Sequence, residues 1–281
     1  MKNLKPYDLV SIDFYDELVR TKRNPSLNPN YKDRLTTYRA DIGTNFIEYD
    51  SSFIGNTLTA MTPNGCDAAK TTDLLSLYSY GNSVISKLKI KLTTTAFNRV
   101  ENTCQNCTIG EVSSFDHFLP KDEFPEFSVH PKNLIPSCSK CNGKKSIIWR
   151  EGTNSIFLNL YLDELPDDQY LFVDINYNMD LDFTFSVDNR NQIPPALFSI
   201  IESHYRRLDL TQRFKENSNK VVSELTNSIN SFKNRLSRVK IIDSIIESEN
   251  SNIALYGSNY WQSILKIALV QNNDFMDSLF I

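Results

Sequence analysis

The 281-residue sequence has no long hydrophobic run: no stretch of about 18 consecutive apolar residues appears anywhere in it. Its composition therefore excludes an ordinary transmembrane helix. Residues 1–7 also lack the apolar core and the small-residue cleavage site of a secretory signal. From these two absences we expect a cytoplasmic protein without a membrane partner.

Cysteine is scarce, with five residues, and histidine is scarcer still, with three. Four cysteines form two Cys-x-x-Cys pairs, Cys104/Cys107 and Cys138/Cys141. A disulfide framework is rare in an intracellular chain of this size, so the paired spacing favours metal binding. Cys66 is left over, and we expect it to be an inert thiol.

The chain also lacks an excess of positive charge, with a formal net charge of -4. The acidity is concentrated in residues 161–281, which hold 11 Lys and Arg against 17 Asp and Glu. Affinity for nucleic acid that does not depend on sequence comes from Lys and Arg neutralising phosphates. If the protein acts on nucleic acid, we expect it to need a partner that brings or gates the substrate.

Hydrophobic periodicity predicts an α+β, predominantly helical fold in three regions. Residues 1–95 form an N-terminal helical segment, residues 96–160 a strand-loop-strand-helix module, and residues 161–281 an α-rich region with a few short strands. The predicted strands are 111–118, 156–160, 170–175 and 181–187, and the predicted helices of the last two regions are 142–149, 196–249 with a break near Leu208–Asp209, and 255–270.

The two Cys-x-x-Cys pairs supply four soft ligands for one tetrahedral Zn²⁺, with Zn–S bonds of about 2.3 Å. Four thiolates leave no open coordination position, so the predicted zinc is structural. The 30 residues between Cys107 and Cys138 exceed the roughly 15–20 of a compact zinc ribbon. A further segment is therefore inserted between the two pairs.

That inserted segment contains Asp116-His117, a carboxylate beside an imidazole. Such a pair can provide a ligand for a hard cation next to a general base. Neighbouring residues of a strand point to opposite faces, so the two can share a site only if Asp116 or His117 ends the strand and turns into the loop before Pro120. A histidine with a purely structural role is the other interpretation of the dipeptide. His130, which precedes Pro131, is expected to be solvent-exposed and to lie outside the site.

With two asparagines added, the motif resembles the HNH endonuclease family, whose members have the ββα-metal fold. It reads Asp116-His117-x-x-Pro120, then Asn133, then Cys138-x-x-Cys141-Asn142-x-x-Lys145, and it covers about 45 of the 281 residues. This resemblance implies a zinc-stapled HNH module embedded between the N-terminal helices and the α-rich C-terminal region.

The resemblance also implies residue roles. His117 would be the general base that activates water, Asn133 would orient it, and Asp116 and Asn142 would hold a catalytic metal ion. An amide oxygen stands where a histidine is found in other members, and it favours Mg²⁺ or Mn²⁺ over softer ions. His117 must be neutral to act, so activity is expected to fall below about pH 6 to 6.5. Three flanking lysines are expected to contact nucleic-acid phosphates: Lys121, Lys144 and Lys145.

The function implied is a metal-dependent endonuclease that hydrolyses phosphodiester bonds, with DNA favoured over RNA. The motif block is similar to stand-alone HNH effectors of bacterial anti-phage defence, including the nuclease subunit of Septu-type systems, which work with an ATPase partner. Two alternatives stay open. One is cleavage of RNA such as tRNA, and the other is a non-catalytic zinc module that binds nucleic acid or protein.

Overall fold

Helices dominate the structure, a computed structural model that describes residues 1–95, 98–178 and 180–280. Within those ranges the sheets are three antiparallel pairs of strands. The predicted α+β, predominantly helical fold class is confirmed. No described helix is both long enough and apolar enough to cross a membrane.

The chain divides into two compact units. The first unit comprises residues 3–106 and 110–164, and the second comprises residues 165–281 together with 1–2 and 107–109. The predicted boundary at residue 96 lies outside the described residues.

The first unit begins with four helices: α1 (Ser11–Thr21), α2 (Tyr31–Ile54), α3 (Ala68–Leu77) and α4 (Ser83–Thr93). Helix α2 shows why these segments pack. Its buried residues Leu35, Ile42, Phe46, Tyr49 and Phe53 recur every three, four or seven positions and so share one face. Helices α3 and α4 are capped by Asp67 and Asn82, the residues before their first turns, whose side chains accept hydrogen bonds from backbone N–H groups of those turns.

A strand-strand-helix arrangement follows in the same unit. Strand β1 (Ser114–His117) pairs antiparallel with β2 (Leu134–Ser137), and Asp116 lies opposite Ile135 and His117 opposite Leu134. Helix α5 (Ser139–Lys145) comes directly after β2. It is shifted from the predicted helix at 142–149, because Cys138 caps its first turn and Ser146, at φ 50°, ends it.

The predicted strand at 156–160 is not formed. Strands β3 (Arg150–Glu151) and β4 (Asn154–Ser155) form a short hairpin before it, and residues 156–160 then run without strand pairing. The side chains of Ile156, Phe157, Leu158 and Leu160 are nevertheless buried. The apolar run therefore indicates that the segment is buried. A continuous hydrophobic segment can be buried without joining a sheet.

In the second unit, β5 (Leu171–Asn178) and β6 (Asp180–Val187) form an antiparallel hairpin, as predicted. Five helices follow: α6 (Pro195–Arg207), α7 (Leu210–Phe232), α8 (Arg238–Tyr256), α9 (Trp261–Gln271) and α10 (Asn273–Leu279). The predicted break is confirmed at Asp209, whose left-handed φ of 56° separates α6 from α7. Trp261 stacks on Phe214 with their ring centroids 5.3 Å apart, at the centre of this unit.

Candidate functional site

The four paired cysteines come together in one buried cluster. The sulfur atoms of Cys104, Cys107, Cys138 and Cys141 all lie within 4.8 Å of one another, and none of these thiols is in a disulfide. Soft, buried sulfur ligands at this separation suit a tetrahedral ion. The donor set therefore fits a metal ion such as zinc, and the predicted grouping of the cysteines is confirmed.

Cys138 is held in the cluster by the start of α5 and lies close to the backbone of Gly110. Cys138 is the N-cap of α5, and its Sγ accepts the N–H of Cys141 at 3.4 Å. The backbone of Gly110 runs so close that an added Cβ would lie 3.2 Å from Cys138 Cβ and 3.3 Å from its Sγ. Only glycine leaves these atoms undisturbed at that position.

Asp116 and His117 end strand β1 at the wall of a cleft of about 320 Å³. The cleft is lined by both residues and by Asn142 from α5, together with Tyr78, Lys121 and other residues of the first unit. Strand β1 ends at His117, one residue before the predicted end at residue 118, so the condition for a shared site is met. Adjacent residues of a continuing strand would face opposite sides, whereas here both line one cleft.

His117 is buried and held by a backbone carbonyl. Its Nε2 lies 2.8 Å from the carbonyl oxygen of Ser128, which can only accept, so Nε2 carries the hydrogen and Nδ1 is the nitrogen able to take a proton. Burial lowers the pKa of His117 to about 3, although the carbonyl of Ser128 favours the charged ring. A pKa of about 3 lies below the ordinary histidine value, from which the loss of activity below about pH 6 to 6.5 was expected. The imidazole is therefore neutral near neutral pH.

Asp116 is paired with a cation from the protein itself. Lys145 Nζ lies 3.0 Å from Asp116 Oδ1 and also donates to the carbonyl oxygen of His117 at 2.6 Å. Burial raises the pKa of the Asp116 carboxyl, and the Lys145 ammonium opposes that shift. Lys145 is only 3% exposed, so its ammonium is turned inward to Asp116 and away from solvent, whereas the motif implies a contact with phosphate.

Asn142 lies on α5 facing strand β1. Its Nδ2 lies 3.4 Å from both Ser114 Oγ and the carbonyl oxygen of Phe115, which leaves Oδ1 as the donor atom for a metal ion. Asp116 supplies a carboxylate in the same cleft and already holds a cationic group. Carboxylate and amide oxygens are the hard donors that Mg²⁺ and Mn²⁺ prefer, so the chemistry of this donor set fits such an ion.

Asn133 is fully buried, and its side chain makes its hydrogen bonds with groups other than His117. It exchanges two hydrogen bonds with the backbone of Leu119, at 2.8 and 3.0 Å, and donates a third to the carbonyl of Phe127 at 3.1 Å. Tyr49 donates its hydroxyl to the same Oδ1 at 3.2 Å. All four bonding positions of the amide are therefore used. Asn133 closes the loop that presents the carbonyl of Ser128 to His117.

The other two predicted phosphate contacts lie nearer the surface. Lys121 lines the cleft, with its Nζ 5.4 Å from the centroid of the Tyr78 ring. Lys144 is exposed on the last turn of α5.

The prediction that His130 is solvent-exposed is wrong. Its ring is fully buried, 4.0 Å from the Tyr49 ring and 4.4 Å from the Phe46 ring, and its Nδ1 accepts the N–H of Lys132. The aromatic pocket is formed by α2, which is far from His130 in sequence. Burial lowers the pKa of His130 to about 3, so this ring is also neutral.

Two further parts of the site were not predicted from the sequence. Tyr78 and Tyr80 precede α4 and line the cleft, and the Tyr78 ring meets the His117 ring edge-on at 4.7 Å. Ser128 supplies the carbonyl that holds His117. No local signal marks these residues, because their roles arise only when distant segments fold together.

Comparisons with known proteins give two partial relatives. The chain is 43% identical over 68 residues to the Septu protein PtuB of Bacillus thuringiensis, which covers 23% of this chain and 26% of that protein. It is 25% identical over 193 residues to protein ea31 of Escherichia phage lambda, which covers 61% of this chain and 62% of that protein. The chain thus spans about a quarter of one relative and somewhat less than two thirds of the other. No family model matches it, and no solved structure matches it.

Proposed function

We propose that the protein is a metal-dependent HNH endonuclease that hydrolyses phosphodiester bonds, with DNA as the favoured substrate. The observation that carries this proposal is the meeting of Asp116, His117 and Asn142 in one cleft at a strand-strand-helix unit. A base, a carboxylate and an amide in one accessible cleft are the groups that a metal-assisted hydrolysis needs.

His117 is proposed as the general base. The carbonyl of Ser128 fixes the tautomer, so Nδ1 would take a proton from the attacking water. Burial keeps the imidazole neutral, which is the state a base requires. Asn133 would act as a positioning residue, since its four hydrogen bonds close the loop behind this histidine.

Asp116 and Asn142 are proposed to hold Mg²⁺ or Mn²⁺. When bound, such an ion would polarise the scissile phosphate and stabilise the charge that develops on the leaving oxygen. Of the predicted phosphate contacts, Lys121 and Lys144 remain proposals, because both lie at or near the surface. Lys145 is instead proposed to position Asp116 and the end of β1.

The four-cysteine cluster is proposed to bind a structural Zn²⁺. Cys138 and Cys141 begin α5, the helix that carries both Asn142 and Lys145, so an ion at the cluster would hold that helix against β1. A closed set of four thiolates has no place for a substrate, which separates this ion from catalysis.

The biological role is proposed to be anti-phage defence together with an ATPase partner. The similarity to a Septu protein supports this role. The chain carries a net charge of -4, which is unfavourable for holding a polyanion without help. A partner that delivers or gates the substrate would supply the missing affinity.

Purified wild type and His117→Ala test the nuclease proposal, each with and without Mg²⁺ and the ATPase partner, on duplex DNA, single-stranded DNA and total RNA. We expect cleavage by wild type only with Mg²⁺ and its loss in His117→Ala, with the zinc content unchanged. Activity that survives in His117→Ala would exclude this residue as the base. Rapid plasmid degradation by the chain alone at physiological salt would exclude the need for a partner.

A further inference from the structure

Part of the lining of the cleft is aromatic. Tyr78 and Tyr80 come from the connection between α3 and α4, and both rings are half-buried and line the same cleft as Asp116 and His117. A hydrolytic site needs no aromatic wall for its chemistry. Two partly exposed tyrosine rings beside the hydrolytic site are therefore suited to contact a ligand with a flat face.

Both rings are held in place before any ligand arrives. The Tyr78 ring contacts the His117 ring edge-on, at 4.7 Å and 74°. The Tyr80 ring packs edge-on against Phe115 at 6.1 Å, and its hydroxyl donates to the carbonyl of Val112 at 3.4 Å. Rings that are already fixed lose little conformational entropy when they stack on a ligand.

Each tyrosine also has an ammonium group over its ring. Lys121 Nζ lies 5.4 Å from the Tyr78 centroid, and Lys89 Nζ lies 5.8 Å from the Tyr80 centroid. Lys121 lines the cleft, whereas Lys89 is anchored to the carbonyl of Val112 at 2.8 Å. The cleft also contains the carboxylates of Asp116 and Asp122, which would repel an anionic backbone. A ligand whose flat rings lie here would therefore need its backbone charge neutralised by Lys121 or by a bound cation.

We propose that Tyr78 and Tyr80 form a stacking platform for unpaired nucleobases next to the scissile phosphate, which makes the substrate a single-stranded or locally opened nucleic acid. The inference rests on the proposed nuclease function, because it assigns the strand state of that enzyme's substrate. Bases within a duplex have their faces covered by neighbouring pairs, whereas unpaired bases offer them to aromatic side chains. Single-stranded DNA and single-stranded RNA both expose the faces of unpaired bases in this way.

Binding is measured on the full chain with its zinc but without added Mg²⁺, so that affinity is separated from cleavage. The probes are a fluorescein-labelled single-stranded DNA, the same sequence as RNA, and the corresponding DNA duplex, followed by fluorescence anisotropy. We expect at least one single strand to bind about tenfold more tightly than the duplex. The DNA and RNA arms decide which sugar the site prefers.

Tyr80→Leu is expected to weaken single-strand binding by about tenfold or more, as expected for removal of one base stack. Tyr80→Phe keeps the ring and is expected to bind like wild type. Tyr256→Leu removes a half-buried tyrosine from the second unit and serves as the matched control. Zinc content and thermal unfolding of each variant show that the fold is retained.

A second readout does not depend on the folding of any variant. A single strand that carries 2-aminopurine is expected to lose fluorescence on binding to wild type, because stacking on an aromatic ring quenches it. The inference is wrong if the duplex binds as tightly as both single strands, if Tyr80→Leu and Tyr80→Phe bind alike, or if the fluorescence is unchanged. Cleavage without an effect of Tyr80 would overturn only this inference, whereas Tyr80-dependent binding without cleavage would overturn only the nuclease proposal.

Discussion

Lys145 Nζ lies 3.0 Å from Asp116 Oδ1 and 2.6 Å from the carbonyl oxygen of His117, so one buried ammonium holds both residues at the end of β1. Buried charges are costly unless they are paired. The ion pair therefore fixes where the carboxylate lies. Any divalent cation at Asp116 would share the carboxylate with this ammonium.

Replacing Lys145 by Met removes the charge and keeps much of the side-chain length. We expect the free energy of unfolding to fall by about 3–5 kcal/mol, because Asp116 would remain as a buried carboxylate without its partner. Urea denaturation measures the change. The double variant D116N/K145M should recover part of the loss, since no buried charge remains. Equal stability of the single and double variants would contradict this account of the pair.

Replacing Cys138 by Ser removes one of the four clustered thiols and also alters the N-cap of α5. We expect bound zinc to fall from about one ion per chain to nearly none, with a lower temperature of thermal unfolding. Cys66→Ser is the control, because Cys66 lies outside the cluster. Elemental analysis and calorimetry make the comparison. Retention of zinc by Cys138→Ser would contradict a four-thiolate site.

Gly110→Ala and Gly143→Ala test the close approach at the cysteine cluster. An added Cβ at Gly110 would meet Cys138 at 3.2 Å, whereas at Gly143, inside α5, nothing lies within 4 Å. We expect Gly110→Ala to weaken zinc retention against a chelator. Gly143→Ala should raise stability by about 0.5–1 kcal/mol, because alanine favours the helix. The same response in both variants would exclude a local steric cause.

Asn133→Ala and Tyr49→Phe distinguish the role of the whole Asn133 amide from that of one of its four hydrogen bonds. The alanine variant loses three backbone hydrogen bonds of the loop, so we expect a loss of about 2–4 kcal/mol in unfolding free energy and a reduced kcat at similar KM. Tyr49→Phe removes only the hydroxyl bond at 3.2 Å and should cost about 1 kcal/mol. An equal cost in both variants would place the role of Asn133 elsewhere.

His130 makes the folded state sensitive to acid. Burial lowers its pKa to about 3, whereas the unfolded chain takes up the proton near pH 6.5. The unfolded state therefore binds more protons between these values, so stability falls as the pH is lowered through them, by about 2 kcal/mol at pH 5. Asp50 Oδ1, 3.5 Å from Nε2, and Lys132 are the charged groups beside the ring.

His130→Phe keeps an aromatic ring among Phe46, Tyr49 and Phe127 but cannot titrate. Urea unfolding at pH 7.5 and pH 5 should show a smaller loss of stability in this variant than in wild type, by about 2 kcal/mol. An unchanged pH dependence would mean that the His130 ring is already charged in the folded protein.

Short-range pattern was sufficient for much of the fold. The period of the apolar residues marks the helices, and alternation marks the β5–β6 hairpin, because both depend on residues a few positions apart. The x2 spacing within each cysteine pair is also local, and it marks both pairs as ligands for one metal ion although 30 residues separate them. Residues 156–160 are an exception, because their apolar run predicts a strand but is buried without forming one.

The sequence by itself determined the helical class, the cysteine cluster and the dipeptide at the end of β1. Only the tertiary structure decided that Lys145 turns inward to Asp116, that His130 is buried against α2, and that Tyr78 and Tyr80 wall the cleft. The physical reason is that charge pairing, desolvation and ring contacts depend on distances through space. These distances join segments that are tens of residues apart, and no local pattern of residue types records them.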